Sequence, residues 1–145
     1  MRRGFEKVSG YEYVNPPKRK TKQSAGYDIE SAVNVVINPG ETKLIPTGIK
    51  AYMDENEWLG IYIRSSIAIK YGLILANSVA VIDSDYYNNP DNEGHIMMAL
   101  RNTSGSPCTI KVGDRIAQGI FHRYYKVDDD SADGDRTGGI GSTGK

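Results

Sequence analysis

Arg64-Ser65-Ser66 stands between an apolar strand-like stretch and a short helical one. A helix start exposes unpaired N–H groups that favour an anion, and a guanidinium with two hydroxyls adds charge-assisted bonds. Val81-Ile82-Asp83-Ser84-Asp85-Tyr86 sets a carboxylate directly after an apolar strand, where it can orient and deprotonate a water. In Gly113-Asp114-Arg115-Ile116-Ala117-Gln118, Gln118 alternates with Ile116 and Ile120, and an amide on an apolar face needs a partner, backbone or ligand. Ala25-Gly26-Tyr27-Asp28 leads into a strand, with Asp28 open to a salt bridge, a turn bond or a hydrated metal ion. The last segment is Arg136-Thr137-Gly138-Gly139-Ile140-Gly141-Ser142-Thr143-Gly144-Lys145, whose four glycines let the backbone bend closely round a ligand. Its guanidinium and hydroxyls suit an arm that closes on a phosphate. Each segment alone also has a structural explanation: serines cap helices, Asp-Ser-Asp makes turns, and polar tails are often disordered.

The elements that must hold these groups are short. Strand-like runs fall at 33–37, 43–53, 58–63, 73–76, 79–82, 94–102, 109–112 and 116–127, separated by turn residues such as Asn38-Pro39-Gly40 and Thr103-Ser104-Gly105-Ser106-Pro107. That spacing predicts an antiparallel sandwich or barrel. One short helix is expected at 66–71, capped by Ser65. The boundaries expected are a β domain over 1–127 and a flexible hinge and arm over 128–145, the latter opened by Asp128-Asp129-Asp130. Lys18-Arg19-Lys20-Thr21-Lys22 reads as a solvated loop.

Eighteen basic and eighteen acidic residues cancel, which argues against an electrostatic grip on nucleic acid or membrane. No apolar run nears the ~20 residues of a bilayer span, and the N-terminus carries no secretory pattern. A cytoplasmic location is expected, in keeping with a single cysteine, Cys108. Cys108, His95 and His122 are too scattered for a zinc site and read as structural.

Taken in order and with their spacing, the five segments resemble the five motifs of the trimeric all-β dUTPase family, over residues 24–145. The resemblance implies a distorted jelly-roll (β-clip) fold with a glycine-rich C-terminal arm. It implies hydrolysis of dUTP to dUMP and pyrophosphate, which limits uracil in DNA. Asp83 would hold the water that attacks the α-phosphorus. Tyr86 would lie under the deoxyribose and exclude a 2′-hydroxyl, and Asn77 would pair with the uracil edge. Arg64, Ser65, Ser66 and Gln118 would hold phosphate oxygens, while Arg136, Ser142 and Thr143 would close on the γ-phosphate. Asp28 would meet Mg2+ through water. A homotrimer follows from the resemblance alone, with sites shared between subunits and the arm lying over a neighbour's site.

The chain departs from the family pattern at several positions. Ile140 stands where the family usually has an aromatic that stacks on uracil, which predicts weaker arm closure. The Arg136-Thr137-Gly138-Gly139 run is one residue shorter than the usual form, and Ala80 replaces a glycine. Asn88-Asn89-Pro90-Asp91-Asn92 replaces a single glycine and reads as a longer, flexible hairpin tip. Two alternatives carry other chemistry. A dCTP deaminase on the same fold would need a proton-shuttling glutamate where Ala99 stands. A nucleotide-binding docking or regulatory protein, with a protein partner at the 88–92 tip, would not depend on Asp83.

Overall fold

The computed structural model describes residues 2–139. Eleven strands, one helix and one 3₁₀ turn follow in chain order: β1 Gly4–Lys7, β2 Tyr27–Glu30, β3 Val35–Ile37, β4 Thr42–Pro46, β5 Ile49–Tyr52, β6 Glu57–Ile63, α1 Ser65–Tyr71, β7 Leu73–Leu75, β8 Ala80–Asp83, the 3₁₀ turn Ser84–Tyr86, β9 Met97–Asn102, β10 Cys108–Ile110 and β11 Arg115–Arg123. Every pairing is antiparallel, in sheets β2-β11-β6-β8, β4-β9-β7, β1-β5 and β10-β3. This is the expected all-β, distorted jelly-roll arrangement. No helix among the described residues is long and apolar enough to cross a membrane.

One apolar core joins the sheets. Ile29, Ile37, Leu59, Ile61, Met98, Leu100 and Ile110 are essentially inaccessible to solvent. Alternation produces this: on β6, Leu59 and Ile61 turn inward while Trp58 and Tyr62 turn out and flank His122. The core packs closely over Gly119 of β11, where a Cβ would come within 3.2–3.5 Å of Leu59, Ile29 and Ile61.

The strand expected over 43–53 is two strands. Thr47-Gly48 breaks it, because Gly48 takes φ +72 and the Thr47 hydroxyl donates to Ile96 O at 2.6 Å. β11 stops at Arg123, short of the expected residue 127. β1, which the sequence reading missed, pairs with β5, packs its one large apolar side chain, Phe5, against Tyr27 and Phe121, and lies beside Arg3, which grips the buried Glu57 at 2.8 Å. The helix starts one residue early, with Arg64 as N-cap and no side-chain cap bond, so Ser65 is not the cap.

Cys108 is buried in the core, where burial pushes its thiol pKa up. Burial holds His95 below its ordinary pKa, and its Nε2 accepts from Gly48 N–H at 2.8 Å. His122 stacks on Trp58 at 4.4 Å and bonds Tyr62 Oη at 2.7 Å.

Candidate functional site

The chemistry-bearing residues fall into two groups at opposite ends of β6. The first group surrounds the start of α1. Arg64, Ser65, Ser66, Asp28 and Gln118 line one cavity together with Gly26, Lys20 and Ser24. Arg64 is carried off the end of β6, and its Nη1 donates to Arg115 O at 2.9 Å. Among the described residues neither serine hydroxyl is engaged in a side-chain hydrogen bond, nor is the Gln118 amide, so these donors point into the cavity unused. Gln118 sits in register with Asp28 on β2 and Tyr62 on β6.

Gln118 does not share a face with Ile116. A register shift between Arg115 and Ala117 interrupts the alternation, so Ile116 and Ala117 both enter the core. Gly26 is required by contact: a Cβ there would lie 2.2 Å from Gln118 Oε1.

Asp28 lies between two guanidiniums, 3.6 Å from Arg64 Nε and 3.6 Å from Arg115 Nη1. Of the options left open by the sequence, a salt bridge is the one observed. Among the described residues no cluster of three His, Cys, Asp or Glu side chains is suited to a metal ion. One carboxylate beside unused hydroxyls fits a hydrated magnesium reached through water, with phosphates as its remaining ligands, and does not fit a protein-only cage.

The second group surrounds the end of β8. Asn77, Asp83, Tyr86, Ala99, Arg136 and Gly139 line a shared cavity of about 220 Å³. Asn77 is exposed on the tight turn between β7 and β8, where Ser78 adopts φ +64 and its N–H donates to Leu75 O. Asp83 ends β8 and caps the 3₁₀ turn that delivers Tyr86 three residues later. Tyr86 Oη donates to His95 O at 2.6 Å and accepts from Asn92 Nδ2 at 2.8 Å. Arg136 meets Asp83 through Nη2 and Asp85 through Nε, and its side chain is only 14% exposed. Ile140, Ser142 and Thr143 lie outside the described residues.

The run at 88–92 is not a flexible tip. Asn89 is buried, its Oδ1 accepting from the N–H groups of Asp91 and Asn92 and its Nδ2 donating to Tyr86 O and Asn92 Oδ1. Lys50, itself buried, bonds Asn88 Oδ1 at 2.6 Å and Glu93 Oε2 at 3.0 Å. Short amides can satisfy several backbone groups at once, and this folds the run into a tight knot.

Lys20 and Ser24 also escaped the sequence reading. The Arg19 guanidinium bonds the carbonyls of Thr21, Lys22 and Ser24, which curls the basic loop against the first cavity. The bridge from Lys18 to Asp28 fixes it there, and no local sequence signal marks that pairing.

The two groups are far apart. Trp58 pairs with Asp83 while Arg64 follows Ile63, so the two ends of β6 separate Asp83 from Arg64 by roughly 20 Å at ~3.4 Å per residue.

The all-β fold thus presents one basic, hydroxyl-rich cavity and one carboxylate–tyrosine–amide cavity. The dUTPase family model matches residues 12–144. The chain is 54% identical to a deoxyuridine 5′-triphosphate nucleotidohydrolase of Lactococcus lactis, over 98% of this chain and 97% of that protein. It is 42% identical to the enzyme of the same name from Actinobacillus pleuropneumoniae serotype 5b, over 89% of this chain and 87% of that protein. The crystal structure of dUTPase from Streptococcus mutans superposes with a TM-score of 0.83 at 44% identity, covering 86% of this chain and 98% of that one. The chain belongs to the dUTPase family.

Proposed function

We propose that the chain is a dUTP diphosphatase, hydrolysing dUTP to dUMP and pyrophosphate and so limiting the uracil available to DNA synthesis. Two relatives named deoxyuridine 5′-triphosphate nucleotidohydrolase, with near-complete coverage in the closer case, support that substrate. The observation that carries the reaction is Asp83, half-exposed at a strand end in a cavity walled by Tyr86 and Asn77.

Asp83 takes a proton from a water molecule whose oxygen bonds to the α-phosphorus, and the bond to pyrophosphate breaks in line on the opposite side. Phosphoryl transfer asks little covalent chemistry of a protein; positioning and charge neutralisation do most of the work. Arg64, Ser65, Ser66 and Gln118 hold phosphate oxygens with their unused donors. Arg136 adds a planar fork to the phosphates, joined by Ser142 and Thr143 of the arm. Asn77 pairs with the base, and the Tyr86 ring blocks a 2′-hydroxyl. Asp28 would hold a magnesium ion through water, and that ion would supply charge neutralisation to the triphosphate. Ala99 stands in the cavity where deamination would need a proton-shuttling carboxylate, so the deaminase reading loses its essential group.

The separation of the two groups argues for a shared site. An attacking water must stand ~3–3.5 Å from phosphorus, so an α-phosphate held by Arg64 is out of reach of Asp83 in the same chain. Copies that each lend a different half to their neighbours make head-to-tail contacts, which close into a ring when the rotation between copies closes, and a ring of three is the assembly that the resemblance implies.

The test is pyrophosphate release from dUTP, dCTP, dTTP and UTP, with and without magnesium. Fast, dUTP-selective, magnesium-stimulated release is expected. Equal release from all four, or none from dUTP by the folded protein, overturns the reading.

A further inference from the structure

Resting on the reading of Tyr86 as the sugar gate, we propose that Asn92 is a positioning residue that locks the Tyr86 ring and ties it to the C-terminal arm, thereby setting how strongly a ribose triphosphate is rejected. The hydrogen-bond directions around Asn92 are fixed by a group that can only donate. Gly94 N–H bonds Asn92 Oδ1 at 3.0 Å, which turns Nδ2 toward Tyr86 Oη at 2.8 Å. Tyr86 Oη, having accepted that bond, gives its own proton to His95 O. The hydroxyl is therefore held from both sides.

Asn89 holds Asn92 in turn, by its amide to Asn92 Oδ1 at 2.8 Å and by Oδ1 to the Asn92 N–H at 3.1 Å. The knot is anchored to the body of the protein through Lys50, and its residues Asn88 and Glu93 accept φ +56 and +68 to form it. Left-handed geometry at residues other than glycine persists only where the surroundings enforce it.

Rejecting one extra hydroxyl by steric exclusion demands a wall that does not yield. A ring free to tilt by a fraction of an ångström would admit the 2′-oxygen, while a ring pinned at its far end cannot. The same amide lies close to the start of the arm. A Cβ at Gly139 would lie 3.0 Å from Asn92 Nδ2 and 3.3 Å from Tyr86 Oη, and one at Gly138 would lie 2.9 Å from Asp91 Cβ. The run that replaces a single glycine of the family pattern thus forms both the brace of the gate and the seat of the arm.

The test is the ratio of kcat/KM for dUTP to that for UTP, with magnesium, in the full chain and in Asn92→Ala, Tyr86→Phe, the double variant and Tyr86→Ala. Tyr86→Phe keeps the ring and removes the hydroxyl through which Asn92 acts. Asn92→Ala and Tyr86→Phe are each expected to lower the ratio about tenfold, and the double variant no further than either, because both cut one connection. A purely structural role would lower the melting temperature and both activities together, leaving the ratio intact. An unchanged ratio in Asn92→Ala, or multiplying effects in the double variant, overturns the proposal. Should Asn92→Ala fail to fold, an unchanged ratio in Tyr86→Phe alone overturns it. If Tyr86→Ala keeps the full ratio, Tyr86 is not the gate, and the proposal falls with that reading. If Tyr86→Ala relaxes the ratio while Asn92→Ala does not, the gate stands and only the role of Asn92 fails.

Discussion

Arg136 pairs with Asp83 across 53 positions of sequence, Nη2 to Oδ2, while its Nε reaches Asp85 Oδ1 at 3.1 Å. The arm is thus drawn onto the cavity by the carboxylate proposed to hold the attacking water. A guanidinium has five donors in one plane, so one edge can face Asp85 while the other turns to phosphate. Lysine has a single point of charge and cannot do both.

Arg136→Ala is therefore expected to lower kcat by ~10²–10³, the cost typical of removing one charge-stabilising donor. Arg136→Lys should recover little of it. Deleting residues 136–145 should be at least as damaging, with a circular-dichroism melt close to that of the full chain. Full turnover in the deleted chain would exclude a closing role for the arm.

Asp83→Asn and Arg64→Ala should each be nearly inactive alone. Co-refolded in equal amounts, they should regain roughly a quarter of full activity, since a site drawing Asp83 and Arg64 from different copies is intact one time in four. Sites built within single chains would regain nothing.

Gly26→Ala puts a methyl group 2.2 Å from Gln118 Oε1. The Gln118 amide can swing away, but its Cβ, which would lie 2.9 Å from the new methyl group, is fixed to β11, so the strand itself must also give. A loss of ten- to a hundredfold in kcat/KM is expected from a donor displaced by about an ångström, together with a lowered melting temperature.

Glu93 is held down to about 2, first by its hydrogen bond from Lys50 and then by the Ser9 N–H. A folded-state value below the ordinary carboxylate range means the unfolded chain binds the proton more readily. The stabilisation is complete above the ordinary pKa near 4.5 and drains away as the pH falls toward 2. Melting temperatures measured from pH 6 down to pH 3 should fall more steeply for the natural chain than for Glu93→Gln. Parallel slopes would remove Glu93 from the acid response.

Leu59 is fully buried between the sheets, beneath Gly119. Leu59→Ala should cost ~2–5 kcal/mol in denaturant unfolding, the usual range for a core cavity. A cost under ~1 kcal/mol would mean that the layers close over the gap.

Much of this was legible in the sequence. Alternation located the buried strands, and the residues bearing chemistry announced themselves by type: Asp83 behind Val81-Ile82, the Arg64-Ser65-Ser66 turn, and Gly26 beside Asp28. What failed to show was interaction between segments. β1 is too short to show an apolar period, and what holds it lies elsewhere in the chain: its pairing with β5, the rings of Tyr27 and Phe121 against Phe5, and the Arg3–Glu57 contact. The 88–92 run looked like loose loop chemistry because Asn and Asp favour turns, and nothing local says that their amides will fold back upon Tyr86.

The sequence by itself determined most of the strand-forming stretches and the family, and it offered candidates for binding phosphate and activating water, because local side-chain chemistry and period are written residue by residue. Only the tertiary structure decided that Asp28 is clasped by two arginines, that Lys20 borders the cavity at the start of α1, that Asn92 bonds the Tyr86 hydroxyl, and that Asp83 and Arg64 stand at opposite ends of one strand. Those relationships depend on antiparallel register and on loops crossing between sheets, where a shift of one residue reverses which face a side chain occupies.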